Sequence, residues 1–130
     1  MIDAAVRAGA VLYAKDVARV RAFYERVGGL EVEEAAAGHV VLGSPALQLV
    51  IVRVPDHVAA SIEITTPPRV RSETPIKLVL PVASIHEARA LAPALGGEVA
   101  PAAREWEFRG SRACDAWDPE GNVVQLRAGR

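Results

Sequence analysis

The chain has 130 residues, 51% of them apolar, with 15 basic side chains against 16 acidic ones and a net charge of -1. That length suits a single domain with its own core. The dispersed, nearly balanced charges exclude the basic stripe that a nucleic-acid partner needs. Cys114 is alone and forms no internal disulfide, Asp3 and Arg7 interrupt any apolar leader, and no apolar run reaches the ~18 residues of a membrane span, so a cytoplasmic location without a membrane partner is expected.

Residues 10–14 form a short apolar run that ends at Lys15-Asp16, the pattern of a strand stopping at a helix N-cap. Val17, Val20, Tyr24 and Val27 then fall on one stripe of a helix, and Gly28-Gly29 ends it by permitting a left-handed cap. Strands are expected at 30–34, 39–42 and 46–54, with Gly43-Ser44-Pro45 as the turn between the last two. In the third, Leu47, Leu49 and Ile51 share one face while Gln48 and Val50 share the other.

Periodicity fades over 55–75, where Pro67, Pro68 and Pro75 break any long element. This segment reads as a linker, with a short strand at 61–66. A strand at 77–82 follows, then a capping box of Ser84 and Glu87 that opens a helix carrying Ile85, Ala88, Leu91 and Leu95. Pro93 is expected to distort its last turn, and Gly96-Gly97 to stop it. Further strands are expected at 98–100, 104–108, 112–116 and 123–127. Before the last of these, Asp118-Pro119-Glu120-Gly121-Asn122 has the residues of a tight turn.

The second half repeats the first. The N-caps Asp16 and Ser84 are 68 residues apart, as are the glycine pairs beginning at Gly28 and Gly96. On this register Gly9 matches Lys77, and Val11 matches Val79.

Two β-α-β-β-β modules, with Phe23-Tyr24 late in the first helix, Gly28-Gly29-Leu30 after it and the 118–122 turn before the last strand, resemble the glyoxalase, bleomycin-resistance and extradiol-dioxygenase superfamily, also called the vicinal oxygen chelate superfamily. The resemblance covers residues 9–127 and is nearest to the metal-free, bleomycin-resistance-like members. It implies an α+β fold in one domain, 1–130. Modules 9–54 and 76–128, joined by the linker 55–75, would form an open barrel-like cavity with helices outside. It also implies a homodimer with two cavities where modules of the two chains meet. Metal-dependent members place one ligand early in the first strand of each module and one in its last strand, usually His and Glu.

At those positions this chain has Gly9, Lys77, Gln48 and Gln125. A glycine, a cation and two neutral amides are a poor set for a divalent ion, so no metal and no cofactor are expected. Gln48 and Gln125 read as matched residues on matched strands, open to three roles: a satisfied or solvated amide, a contact to a ligand, or an unorthodox metal donor. Lys77 is either a solvated strand-edge residue or a cation for an acidic ligand group. His39 begins a strand and suits general acid–base work near neutral pH, although no carboxylate partner is visible. Trp106 and Trp117 are core residues or flat walls for a planar ligand, and Tyr13 lies on the helix-distal face with them.

The candidate ligand-binding set is therefore Tyr13, His39, Gln48, Lys77, Trp106, Trp117 and Gln125, with no catalytic residue assigned. The expected function is metal-independent binding of a small molecule, of the sequestration or resistance type. The alternative is a metal-dependent lyase, isomerase or dioxygenase of the same superfamily with non-standard ligands.

Overall fold

In the computed structural model, which describes residues 1–3 and 5–129, the chain builds two sheets with the same internal order. The first contains β1 (Gly9–Ala14), β2 (Glu31–Ala36), β3 (His39–Gly43) and β4 (Gln48–Arg53), with α1 (Val17–Arg26) between β1 and β2. A single helical turn, α2 (Asp56–Ala59), opens the linker. The second sheet contains β5 (Leu78–Pro81), β6 (Glu98–Val99), β7 (Trp106–Phe108), β8 (Ser111–Trp117) and β9 (Val123–Ala128), with α3 (Ile85–Leu91) after β5. The orders are β1-β4-β3-β2 and β5-β9-β8-β6, with β1 parallel to β4 and β5 parallel to β9. In the second sheet β6 pairs with one end of β8 and β7 with the other. Pro101 and a 3-10 turn at Ala102–Arg104 break what is one strand, β2, in the first module.

The helices start and stop for the reasons the sequence gives. Asp16 accepts the Arg19 N–H at 3.0 Å and Ser84 accepts the Glu87 N–H at 3.1 Å, each satisfying an orphan donor of a first turn. Pro93 has no N–H to continue α3, and the chain tightens into a 3-10 turn over Ala92–Leu95. The glycine pairs do not act in step, however. The left-handed residue is Gly29 (φ +65°) after α1 but Gly96 (φ +81°) after the 3-10 turn. Their partners serve close packing instead: a Cβ at Gly97 would lie 2.4 Å from the Trp117 carbonyl oxygen and 2.6 Å from the Phe23 ring.

Strand alternation then sorts the side chains. Leu49 and Ile51 of β4, and Val124 and Leu126 of β9, are fully buried, while their sequence neighbours are half-exposed. Both helices contribute to one continuous core, in which Phe23 and Tyr24 of α1 join Leu42, Leu80, Ile85 and Ala88. The opposite face of each sheet is open. There Val11 and Tyr13 are 57% and 62% exposed, and Val79 is 37% exposed.

The modules are joined at the 118–122 turn, which does more than its turn chemistry requires. Asp118 Oδ1 accepts the N–H groups of Glu120 (2.8 Å) and Asn122 (3.1 Å), as an Asx turn should. Its Oδ2 reaches across to the first module and accepts the buried Tyr24 hydroxyl at 2.8 Å. Glu120 is the residue for which turn formation gives no reason. Its carboxylate, almost wholly buried, accepts the N–H groups of Lys15 (3.0 Å) and Asp16 (2.7 Å) where β1 leads into α1. Burial pushes the Asp118 carboxyl above its ordinary pKa, against the hydrogen bonds from Asn122 and Tyr24 that favour its charged form. The Tyr24 phenol is held well above its usual value by burial and by the adjacent Asp118 charge, so it remains a donor.

No strand forms at 61–66, contrary to the sequence expectation. Ile62 and Ile64 alternate as strand residues do, yet no ladder partner lies beside them, and Ser61 and Ile62 instead hydrogen-bond back into the turn that ends α2. The linker returns to the fold at Arg71, whose N–H donates to the Gly121 carbonyl at 2.8 Å and which bridges to Asn122. Gly121 has φ +84°, and a Cβ there would sit 1.9 Å from the Arg69 carbonyl oxygen, so both the turn and the linker require glycine. Among the described residues no helix is long and apolar enough to cross a membrane.

Candidate functional site

Six of the seven candidates lie in strands and Lys77 immediately precedes β5, but they do not form one cluster. In the first sheet Tyr13 pairs with Val52 and Val52 with His39, so Tyr13 and His39 share a cross-strand row. His39 does have a carboxylate partner: its Nε2 lies 2.7 Å from Glu34 Oε2, brought near by the β2–β3 hairpin. Both side chains are well exposed, a setting in which such pairs contribute little. Gln48 lies at the far end of the sheet beside Gly9. There Glu33 receives a bidentate Arg7 guanidinium at 2.6 and 2.7 Å. The Arg7 hydrogen bond holds the Glu33 carboxyl below the usual range, and the Gln48 amide adds a smaller contribution in the same direction.

The register also corrects the pairing of the two glutamines. Gln48 stands beside Gly9, whereas Gln125 stands beside Val79, the counterpart of Val11. Because Val11 pairs with Val50, the residue that matches Gln125 is Val50, and Gln48 matches Val123 two residues away. The 68-residue offset relates the first strands and helices but does not extend to the last strands, because the second module has a longer excursion through β6 and β7.

In the second sheet the open face is charged. Lys77 Nζ bonds both oxygens of Asp115 at 3.0 and 3.1 Å, so it is neither a free edge residue nor an unpaired cation. Gln125, directly opposite Asp115, uses its side-chain oxygen to accept Arg127 Nε at 2.6 Å, and the Arg127 guanidinium lies 4.2 Å from the Phe108 ring centroid. Trp106 is half-buried in the row that contains Ala113 and Arg127.

Two hollows meet at Lys77. One is a cleft of about 310 Å³ between β1 and β5, where Gly9, Val11, Ile76, Val79 and Val123 form a largely apolar lining. The other, of about 140 Å³, lies on the open face of the second sheet between Trp117, Asp115, Arg104 and the linker residues Ser72 and Thr74. Of the seven candidates, Lys77 and Trp117 are brought together here. Tyr13, His39, Gln48, Trp106 and Gln125 line neither hollow. Asp115, Arg104 and Thr74 were not singled out from sequence. Asp115 had a signal, since strand alternation places it on the same face as Trp117 and opposite Gln125. Nothing in the sequence indicates that the linker folds back to form a wall.

The metal positions implied by the resemblance do not fit a divalent ion. Gly9 has no donor, Lys77 is cationic and paired, and the oxygen of Gln125 is already engaged. No group of three or more His, Cys, Asp or Glu side chains converges among the described residues. Cys114 is buried, and Arg89 Nη2, supplied by α3, lies 3.7 Å from its sulfur. Burial nevertheless raises the thiol above its ordinary pKa, outweighing the guanidinium, and an unactivated packing role results.

An α+β chain of two like-ordered sheets with their helices on one side and open faces on the other has the architecture of the glyoxalase/bleomycin-resistance/dioxygenase superfamily. A family model described as a glyoxalase-like domain matches residues 4–127, and the chain belongs to that family. Similar solved structures include a glyoxalase/bleomycin resistance protein/dioxygenase family enzyme from Burkholderia phytofirmans (TM-score 0.66, 18% identity, 95% of this chain and 98% of that one). A bleomycin resistance determinant encoded on transposon Tn5 has a TM-score of 0.60 at 18% identity, over 96% of this chain and 98% of that one. The fosfomycin resistance protein FosX from Listeria monocytogenes has a TM-score of 0.66 at 18% identity, over 100% and 94%. A variant of FosX is also known in complex with manganese(II) and a dihydroxypropylphosphonic acid. At these identities the likeness is one of fold. No curated protein matches the sequence.

Proposed function

We propose that this chain is a metal-independent small-molecule-binding protein of the sequestration or resistance type, and that its ligand sits on the open sheet faces around Lys77. The observation that carries this reading is the position of Lys77. It lies between an apolar cleft and a smaller hollow with an aromatic wall, and Asp115 holds its ammonium in place. A concave apolar surface with a few polar anchors is what sequestration needs, and it needs no reactive group. With Arg104 beside Lys77 and Asp115 as the one carboxylate of the smaller hollow, an apolar or planar molecule bearing an anionic group suits the site best.

The neighbours in fold support both a binding and a metal-dependent reading, since they include the Tn5 bleomycin resistance determinant and a manganese complex of FosX. The donor set of this chain favours the first. The alternative, a lyase, isomerase or dioxygenase with unorthodox ligands, requires three donors to converge, and the exposed His39–Glu34 pair is two.

The protein is proposed to work as a homodimer. Val11, Tyr13, Ile76 and Val79 are apolar or aromatic side chains exposed by 37% to 81% around the cleft and on the adjoining open faces. A second copy would cover them and close the cleft into a chamber. Sedimentation equilibrium is expected to give a dimer, and Val11→Asp to shift it toward monomer; a wild-type monomer at working concentrations would refute the dimer. For the ligand, a thermal-shift screen of aromatic carboxylates, phosphonates and neutral analogues is expected to favour the anionic compounds. Lys77→Ala should abolish that preference while excess chelator leaves it intact. Binding that vanishes with chelator would refute the metal-independent reading.

A further inference from the structure

A second, polar cavity lies away from the open sheet faces, where the linker folds against the 118–122 turn. It measures about 470 Å³ and is lined by Ser61, Glu63, Thr65, Arg69, Arg71 and Glu120, with Ile62 and Ile64 between them. Its two walls are fixed. Lys15 Nζ donates to the Ile62 carbonyl on one side, and on the other Arg71 is bonded through its backbone to Gly121.

The lining carries two guanidiniums, Arg69 and Arg71, and two carboxylates, Glu63 and Glu120, but the Glu120 carboxylate is engaged elsewhere. Both Glu120 oxygens already accept backbone N–H groups at the start of α1. The Ser61 and Thr65 hydroxyls donate to the carbonyls of Val58 and Pro67. Among the described residues the guanidiniums of Arg69 and Arg71 make no hydrogen bond or ion pair, and Glu63 is the lining carboxylate not engaged at the start of α1. The Lys15 ammonium, bonded to the carbonyl of the lining residue Ile62, adds a third positive charge nearby, against the two carboxylates. Two free planar donor forks beside a concave polar surface match the geometry of a carboxylate or phosphoryl group. The volume lies within the range of about 300 to 1,000 Å³ typical of small-molecule sites.

We infer that this cavity binds a small anion through a carboxylate or phosphoryl group held by Arg69 and Arg71, independently of any ligand on the sheets. Such an anion would tie the linker to the turn that joins the modules, so binding would stabilise the whole chain by mass action.

The test is a titration of the intact protein with inorganic phosphate and, separately, citrate, at constant ionic strength maintained with chloride, read by calorimetry and by Tm. Saturable binding with a rising Tm is expected for at least one of the two, and the tighter anion identifies the preferred group. Arg69→Ala should weaken it about tenfold, the loss of one charged hydrogen-bonding partner. Arg69 is exposed and its side chain makes no hydrogen bond among the described residues, so this variant is expected to fold normally, as circular dichroism would check. Arg71→Lys, which keeps the charge and loses the fork, should weaken binding to an intermediate degree, and Lys77→Ala should leave it unchanged. The inference is overturned if neither anion saturates, if chloride raises Tm equally, or if Arg69→Ala binds as the parent does. It is also overturned if Lys77→Ala removes the binding, which would place the anion on the sheet face instead.

Discussion

The two sheets share their order, their parallel first pair and their buried residues, yet their open faces differ. That of the first is mostly valine and tyrosine, Val11, Tyr13, Val41, Val50 and Val52, with ion pairs only toward its ends, at Arg7–Glu33 and His39–Glu34. That of the second has Lys77, Asp115, Gln125 and Arg127 across its centre, with aromatic rings beside them. Inner faces are constrained by burial, where a changed methylene is felt across the core. An open face is constrained only by what it binds. The repeat is therefore a repeat of scaffold, and the open faces are unequal: apolar on the first sheet, charged on the second.

If the modules differ outside but share one core and one seam, cutting the seam should destabilise both together. Glu120→Ala strips two backbone N–H groups of a nearly buried carboxylate acceptor and is expected to cost about 3 kcal/mol. Urea unfolding should show one transition moved to lower denaturant; two separated transitions would mean that the modules are held together by something else. Tyr24→Phe removes one buried donor to Asp118 and should cost about 1 to 2 kcal/mol in the same assay.

The seam also sets a pH dependence. Since the Asp118 carboxyl titrates higher in the folded chain than in the unfolded one, the unfolded state loses its proton first. Its contribution to stability is present below the ordinary carboxylate pKa of about 4 and declines as pH rises through the window above it. Measured stability of Asp118→Asn against pH should lack that decline. The smallest effect is expected on the open faces. Lys77→Ala breaks a half-exposed ion pair and should change stability by less than about 1 kcal/mol, while its effect on anionic ligands should be large. A large stability loss there would make the open face of the second sheet structural and remove the contrast between the two sheets.

Much of the scaffold was legible in the sequence because it is locally determined. Asp16, Ser84, Pro93 and the alternating Leu49–Ile51 and Val124–Leu126 pairs act within a few residues of themselves, and each does in the fold what its chemistry suggests. What was not legible depends on residues far apart in the chain. A short strand was expected at 61–66, but a strand needs a partner that sequence does not display. Glu120 looked like part of a turn because its two donors, Lys15 and Asp16, are more than a hundred residues away. Gln48 and Gln125 looked equivalent because each is a polar residue inside the apolar run of its module's last strand, and the pairing register that sets them two residues apart does not show in the sequence. The site at Lys77 was half visible: the cation and Trp117 stood out, while Asp115 and the returning linker emerged only from the fold.

The central claim is that the Lys77 cavity binds its ligand without a metal. Elemental analysis of protein purified without chelator, after exposure to manganese, zinc and iron(II) and removal of the excess, tests it most directly. The account predicts metal well below one ion per chain. One tightly held divalent ion per chain would contradict it.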